Sequence, residues 1–198
     1  MKLDTAIKKA TEYSEKDLPF SELKYRKLIY QKTGKVFHQF WYADALRLCG
    51  FTRTAEEIFS EIPAQKIPKE YRHLFYLRFG LLYKETGHLE NALHYYLKSL
   101  KLNPQNTLTY VFIADILKIQ EKDKEAIGYL LKALTTDGDI DEVNYNLATS
   151  YIRVGQLEKA SKAIIDCLKM DSKFPNANNV KKDLDLLLKD KEELRIDE

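Results

Sequence analysis

Residues that interrupt helices or cross-link a chain are scarce in this sequence. Its 198 residues include seven Gly, five Pro and two Cys. Gly and Pro destabilise helix interiors, so their scarcity favours a helical protein. Cys49 and Cys167 lie far apart in apolar helical patterns, which excludes a disulfide framework or a clustered zinc site and indicates small buried side chains. A chain of this length can bury roughly 70% of its unfolded surface without such staples.

The sequence also lacks a long apolar run and an excess of one charge. No stretch approaches the roughly 18 apolar residues of a membrane-spanning helix, and the segment Met1–Thr5 has no apolar signal-peptide core. We therefore expect a cytoplasmic protein without a membrane partner. The formal net charge is +2, and Lys and Arg are interspersed with Asp and Glu. This pattern argues against a nucleic-acid partner, because nucleic-acid-binding proteins cluster their basic residues.

Motifs that carry catalysis or ligand binding are absent as well. The four His residues show no HExxH arrangement, and Thr33-Gly34-Lys35 lacks the second glycine and the spacing of a phosphate-binding loop. The acidic run from Asp137 to Glu142 lacks the ligand spacing of a calcium loop and better suits the start of a helix. We therefore expect no catalytic residue, no cofactor and no metal site, and we interpret the chain as not being an enzyme.

An internal repeat is the strongest positive signal. A small residue followed four positions later by a large apolar one recurs at Ala92, Ala126 and Ala160, at intervals of 34 residues. An earlier copy, at Ala55, precedes Ala92 by 37 residues. Such a period indicates a stack of similar helical units, each too small to bury its apolar face alone.

Each repeat reads as two helices joined by a tight turn. Gly50, Gly87 and Gly155 each lie five residues before one of the aligned alanines, where a glycine ends the first helix. A small residue on the first helix lets the two backbones approach closely, and larger residues fill the remaining gap. These small residues are Ala43, Gly80, Ala114 and Ala148.

The pattern resembles the tetratricopeptide repeat, an aromatic, Leu, Gly, Tyr, Gly, Ala, Phe, Ala and Pro motif over 34 residues. The segment from Tyr76 to Pro104 matches best, whereas the third copy has Glu121 in place of the turn glycine and Gly138 in place of the final proline. The first copy is expanded by three residues near Pro63 and Pro68.

The resemblance implies an all-α, right-handed α-solenoid of antiparallel helix pairs. We expect an N-terminal helical hairpin, or a degenerate repeat, over 1–35, four repeats within 36–175, and a C-terminal capping helix with a frayed tail over 176–198, the tail beginning at Lys191. The expected repeat bounds are about 36–69, 73–106, 107–140 and 141–174.

The resemblance also implies a protein or peptide partner held in a concave groove lined by the first helices. The family's exposed positions correspond here to Phe40, Asp44, Leu77, Leu81, Lys84, Val111, Asp115, Lys118, Tyr145, Thr149 and Arg153. Relatives that grip acidic chaperone tails use Lys, Arg and Asn there. The corresponding central positions here carry four hydrophobic residues and two acids, namely Phe40, Leu77, Leu81, Val111, Asp44 and Asp115. Binding of an acidic chaperone tail is therefore disfavoured, and a partner segment with apolar anchors is expected.

Two functional hypotheses remain open at this point. The first is a protein-interaction scaffold or adaptor, within which a likeness to small secretion-system chaperones rests on no diagnostic residue. The second is a structural subunit or homo-oligomer whose apolar groove is covered by its own chain, since a large uncovered apolar patch is unfavourable.

Overall fold

A computed structural model describes residues 1–193, and the last part of the predicted tail, residues 194–198, lies outside the described residues. The described residues form eleven α-helices and no strand. The predicted all-α class is therefore confirmed for this part of the chain. The helices are α1 (Leu3–Glu15), α2 (Pro19–Thr33), α3 (Val36–Leu48), α4 (Thr52–Glu61), α5 (Arg72–Glu85), α6 (Leu89–Leu102), α7 (Thr107–Ile119), α8 (Asp123–Ala133), α9 (Asp141–Arg153), α10 (Leu157–Met170) and α11 (Ala177–Glu193).

The chain divides into two compact units, Met1–Leu102 and Asn103–Glu198. In the first unit, α1 packs on α2, α2 on α3, α3 on α4 and α5 on α6. In the second, α7 packs on α8, α8 on α9, α9 on α10 and α10 on α11. Consecutive helices therefore pack as neighbours in each unit, as short turns between antiparallel helices require.

The turns inside the repeats follow the glycine pattern with one exception. Gly50, Gly87 and Gly155 have φ values of 80°, 80° and 74°, a left-handed conformation that glycine adopts without steric cost. The corresponding turn between α7 and α8 places Glu121 at φ 61°. The fold therefore retains this turn geometry even where the sequence departs from glycine.

The first unit is held together by aromatic rings. Phe40, Phe59, Phe75 and Phe79 are buried in one cluster contributed by α3, α4 and α5. The rings of Phe59 and Phe79 stack with centroids 5.1 Å apart. The abundant aromatic side chains thus supply the core of the unit that carries the expanded repeat, and such ring pairs add to the stabilisation from burial.

Gly80 confirms the close approach expected between paired helices. A Cβ atom added there would lie 2.6 Å from ring atoms of Tyr96 on α6 and 3.2 Å from the carbonyl oxygen of Ala92. Tyr96 and Ala92 are both fully buried. The contact between α5 and α6 therefore leaves no room for a side chain at this position.

The expanded segment between α4 and α5 folds into two short 3₁₀ turns, Ala64–Lys66 and Lys69–Tyr71. Ile62 and Ile67 anchor the segment in the aromatic cluster, since both are buried there. The extra residues are therefore an ordered part of the first unit and shape the surface beside α5.

Candidate functional site

The candidate site residues fall at equivalent positions of the first helices, and four of them are buried. Phe40, Asp44, Leu77 and Val111 are 0%, 4%, 3% and 1% exposed. The three apolar side chains among them contribute to packing and are not open to a partner. The ring centroid of Phe40 lies 5.7 Å from that of Phe75 on the next first helix, so the aromatic cluster covers it. Tyr145, the equivalent residue of α9, is half-buried.

The remaining candidates, together with Arg47 and Glu85 of the same helices, form what we call the first-helix face, considered separately in each unit. In the first unit the face comprises Asp44, Arg47, Leu81, Lys84 and Glu85. In the second unit it comprises Asp115, Lys118, Tyr145, Thr149 and Arg153. Apart from Asp44 and Arg47, which are buried, these residues are half-buried or exposed.

A charged network links two repeats of the first unit. Arg47 Nε donates to Asp44 Oδ1 at 2.8 Å, and its Nη1 donates to Glu85 on α5. Arg78 Nε lies 3.4 Å from Asp44 Oδ2. Burial by itself lowers the pKa of Arg47, but Asp44 and Glu85 outweigh it and raise the pKa above its usual value. Burial raises the pKa of the Glu85 carboxyl in spite of the neighbouring Arg47. Arg47 keeps its charge, and its bonds to Asp44 and Glu85 fix α3 against α5.

A second network occupies the equivalent place in the other unit. Lys118 Nζ lies 3.2 Å from Asp115 Oδ1 and also donates to Asn146 on α9. Arg153 Nη2 donates to the Lys118 carbonyl at 3.1 Å, and its Nε lies 2.7 Å from Asp123 Oδ1 on α8. As in the first unit, the cations on this face reach from one repeat to the next and bond to groups already present.

Sequence reasoning missed the residues that complete these networks. Arg78 and Asn146 stand at equivalent positions of α5 and α9, one residue after the apolar position that Leu77 and Tyr145 occupy. Asn146 is buried and donates from Nδ2 to the Glu142 carbonyl at 3.0 Å. The recurrence of a polar residue at this position in α5 and α9 was the one sequence signal for these networks. It did not identify the partners, because Asp44 and Lys118 lie in the preceding repeat.

The other residues of the face differ in how firmly they are held. Thr149 donates from Oγ1 to the Asn146 carbonyl at 3.0 Å. The ring centroid of Tyr145 lies 5.1 Å from that of Phe174, in the segment before α11. Leu81 and Lys84 are half-buried on successive turns of α5. The face thus combines apolar surface with polar groups that are already positioned.

Metal sites and membrane-spanning helices are other features that a functional site can involve. Among the residues whose side chains the structure describes there is no group of three or more His, Cys, Asp or Glu that could hold a metal ion. No helix in the described part of the chain is long and apolar enough to cross a membrane.

Comparison with known proteins bears on the fold. Residues 74–106 and 141–174 match the family model of the tetratricopeptide repeat. No curated protein matches the chain. A thermophilic tetratricopeptide repeat protein of Thermus thermophilus is 16% identical, covers 93% of this chain and 100% of its own, and has a TM-score of 0.70.

Two further solved structures are similar, and both are described with a peptide. YrrB, a tetratricopeptide repeat protein with an unusual peptide-binding site, is 14% identical over 87% of this chain and 88% of its own, with a TM-score of 0.67. The first such domain of Spaghetti (RPAP3), bound to an HSP90 peptide, is 18% identical over 59% of this chain and 92% of its own, with a TM-score of 0.56. At these identities the likeness shows the fold alone, that of a tetratricopeptide-type solenoid, and the family model shows tetratricopeptide repeats at residues 74–106 and 141–174.

Proposed function

We propose that the chain is a non-catalytic scaffold or adaptor that binds a peptide or protein segment on its first-helix face. The observation that carries this proposal is the pairing of accessible apolar side chains, Leu81 and Tyr145, with polar neighbours that are fixed by bonds inside the chain. A surface that is ordered before binding loses little side-chain entropy when a partner docks.

The charges of the face favour a partner with apolar anchors. Arg47, Lys118 and Arg153 each contact an acid of the chain itself. A partner carboxylate would have to compete with these contacts, so it would gain little from the cations. Apolar anchors beside Leu81 or Tyr145 would instead gain from burial without disturbing the networks. The same pairing supports a non-catalytic role, because the charged groups of the face are engaged in holding repeats together.

A matched pair of variants tests this proposal. Peptides selected from a display library for binding to the chain would be measured against Leu81→Glu and Leu97→Glu by fluorescence anisotropy. Leu97 is 42% exposed on α6, away from the first-helix face, so the second variant carries the same chemical change elsewhere. We expect Leu81→Glu to weaken binding by about a hundredfold, since a charge replaces a buried apolar contact, and Leu97→Glu to leave it within about twofold.

Two results would contradict the proposal. One is equal binding by both Leu→Glu variants, and the other is an equal loss in both. Far-UV circular dichroism checks that each variant keeps its helices. Tyr145→Glu provides the same test in the second unit, so the conclusion does not depend on the folding of one variant.

A second candidate function is a structural subunit that associates with its own copies. Leu186 and Leu187 on α11 are 54% and 45% exposed, although Leu184 on the same helix is fully buried. These two leucines give α11 an exposed apolar surface that a second copy of the chain would cover. Sedimentation equilibrium of the wild-type chain and of Leu186→Lys tests this candidate, which requires a dimer that the substitution dissociates.

A further inference from the structure

A basic pocket lies beside the expanded segment of the first unit, apart from the first-helix face. Its volume is about 350 Å³. It is lined by three cationic side chains, an aromatic ring, a leucine and two residues of the expanded segment, namely Arg72, Lys98, Lys101, Tyr76, Leu102, Ala64 and Gln65. None of the described residues that line it is acidic.

The expanded segment fixes the guanidinium of Arg72. Its Nε donates to the Ile67 carbonyl at 2.9 Å, and its Nη2 donates to the Gln65 carbonyl at 2.8 Å. Both acceptors are backbone groups of the 3₁₀ region, so they orient the side chain without neutralising its charge. The Nη1 group is not used by these two bonds. The expanded segment thus contributes Ala64 and Gln65 to the lining of the pocket and orients the Arg72 cation there.

The two lysines on α6 add their charges to the lining of the pocket. Lys98 and Lys101 are exposed and lie three residues apart on α6, so they share one side of that helix. Lys98 Nζ lies 5.5 Å from the ring centroid of Tyr76 and 5.1 Å from that of Tyr95, contacts that hold an ammonium group above the aromatic surface. Neither lysine forms an ion pair with a side chain that the structure describes.

Three cations around one cavity repel one another, and an anion between them would relieve this repulsion. The cavity also offers apolar surface, from the Tyr76 ring and the Ala64 methyl group, which a small inorganic anion would not contact. The methylene groups of a glutamate side chain could pack there while the carboxylate reaches the cations.

We propose that this pocket binds carboxylate side chains of a short acidic segment in a partner protein. Arg72 would donate its remaining N–H groups to one carboxylate, and Lys98 and Lys101 would hold the next. The site goes beyond the first-helix face, whose cations are already paired, and it gives the chain a second and chemically different contact with a partner.

The test uses fluorescein-labelled hexaglutamate as the probe and fluorescence anisotropy at low salt as the measurement. The double variant Lys98→Gln/Lys101→Gln is compared with Lys159→Gln/Lys162→Gln. The control lysines are also exposed and three residues apart, on α10, so both variants lose the same net charge. We expect the pocket variant to weaken binding by about tenfold or more and the control to change it by less than about twofold.

Further arms decide between the pocket and simpler explanations. Lys101→Gln alone, which leaves the Lys98 ring contacts intact, should also weaken binding, and a hexaglutamine peptide should not bind. Equal losses in the pocket and control variants would show general charge attraction and would overturn the proposal. It would also be overturned by absence of hexaglutamate binding, or by inorganic phosphate binding to the pocket where hexaglutamate does not.

Discussion

A methyl group at residue 80 is expected to destabilise the first unit, although it would normally stabilise a helix. In Gly80→Ala the added Cβ would lie 2.6 Å from the Tyr96 ring and 3.2 Å from the Ala92 carbonyl oxygen. Contacts between carbon atoms are normally about 3.5 Å or longer, so α5 and α6 must separate or the Tyr96 ring must move. That ring is fully buried and has little space to move into.

Two opposing effects set the magnitude. Alanine is favoured over glycine inside a helix by about 1 kcal/mol. Overpacking a well-filled core costs about 1–3 kcal/mol, and a clash that involves both a buried ring and a backbone oxygen belongs at the upper end. We therefore expect Gly80→Ala to lower the free energy of unfolding by about 2 kcal/mol.

Gly128→Ala is the matched control. Gly128 lies within α8, and a Cβ atom added there would meet nothing within 4 Å. Only the difference in helix propensity applies at this position, so we expect this variant to be more stable by up to about 1 kcal/mol. The two Gly→Ala changes should thus have opposite signs.

Urea denaturation measures both variants. Fluorescence of Trp41, the single tryptophan, reports on the first unit, because its ring packs against the aromatic cluster there, and far-UV circular dichroism reports on all helices. A double-mutant cycle with Tyr96→Leu isolates the clash, and we expect a coupling of at least about 1 kcal/mol. An unchanged or increased stability of Gly80→Ala, or a cost that is undiminished in the Tyr96→Leu background, would refute the reasoning.

Three further predictions concern charge and backbone strain. Arg47→Met should lower the free energy of unfolding by about 3 kcal/mol in urea denaturation, because Asp44 stays buried with only the more distant Arg78 as its cation. Arg53→Met is the control at an exposed i,i+4 pair and should change the free energy of unfolding by less than about 0.5 kcal/mol. Burial, and to a smaller extent the nearby Glu56 carboxylate, raises the pKa of the Tyr83 hydroxyl from 10.0 to about 12. Loss of the hydroxyl proton therefore favours the unfolded chain. Stability should therefore fall as pH rises from 10 towards 12, and less steeply in Tyr83→Phe. Glu121→Gly should raise the free energy of unfolding in urea by up to about 1 kcal/mol, because it relieves the left-handed strain at φ 61°.

The repeat architecture could be predicted from the sequence because its signals are local. The spacing of Ala92, Ala126 and Ala160 fixes which face of each second helix packs inward, and the close approach at Gly80 follows from the same alignment. These features depend on residues within one helix pair. The chain therefore encodes them in short, periodic stretches that can be compared with one another.

The contacts between repeats could not be predicted in the same way. The sequence placed Phe40 on an open face, but aromatic residues of α4 and α5 cover it. The position of a residue within the repeat motif does not indicate how large the side chains of the neighbouring helices are. Arg47 and Lys118 each have a second partner, Glu85 or Asn146, on the next first helix, and nothing nearby in the sequence identifies these two residues. The expansion near Pro63 was visible, but its effect on Arg72 depends on which backbone carbonyls point towards that side chain.

The bonds between successive first helices limit how freely the repeats can be exchanged. Arg47 reaches Glu85 in the first unit, whereas Lys118 reaches Asn146 in the second, so equivalent positions use different donor and acceptor pairs. Suppose that the repeat containing α9 and α10 directly followed the repeat containing α3 and α4. The Asn146 amide would then replace the Arg78 guanidinium near Asp44. A buried acid would then lose one of its cations. Each repeat is thus specific to its neighbour, and recombination or design with these modules should move adjacent pairs together.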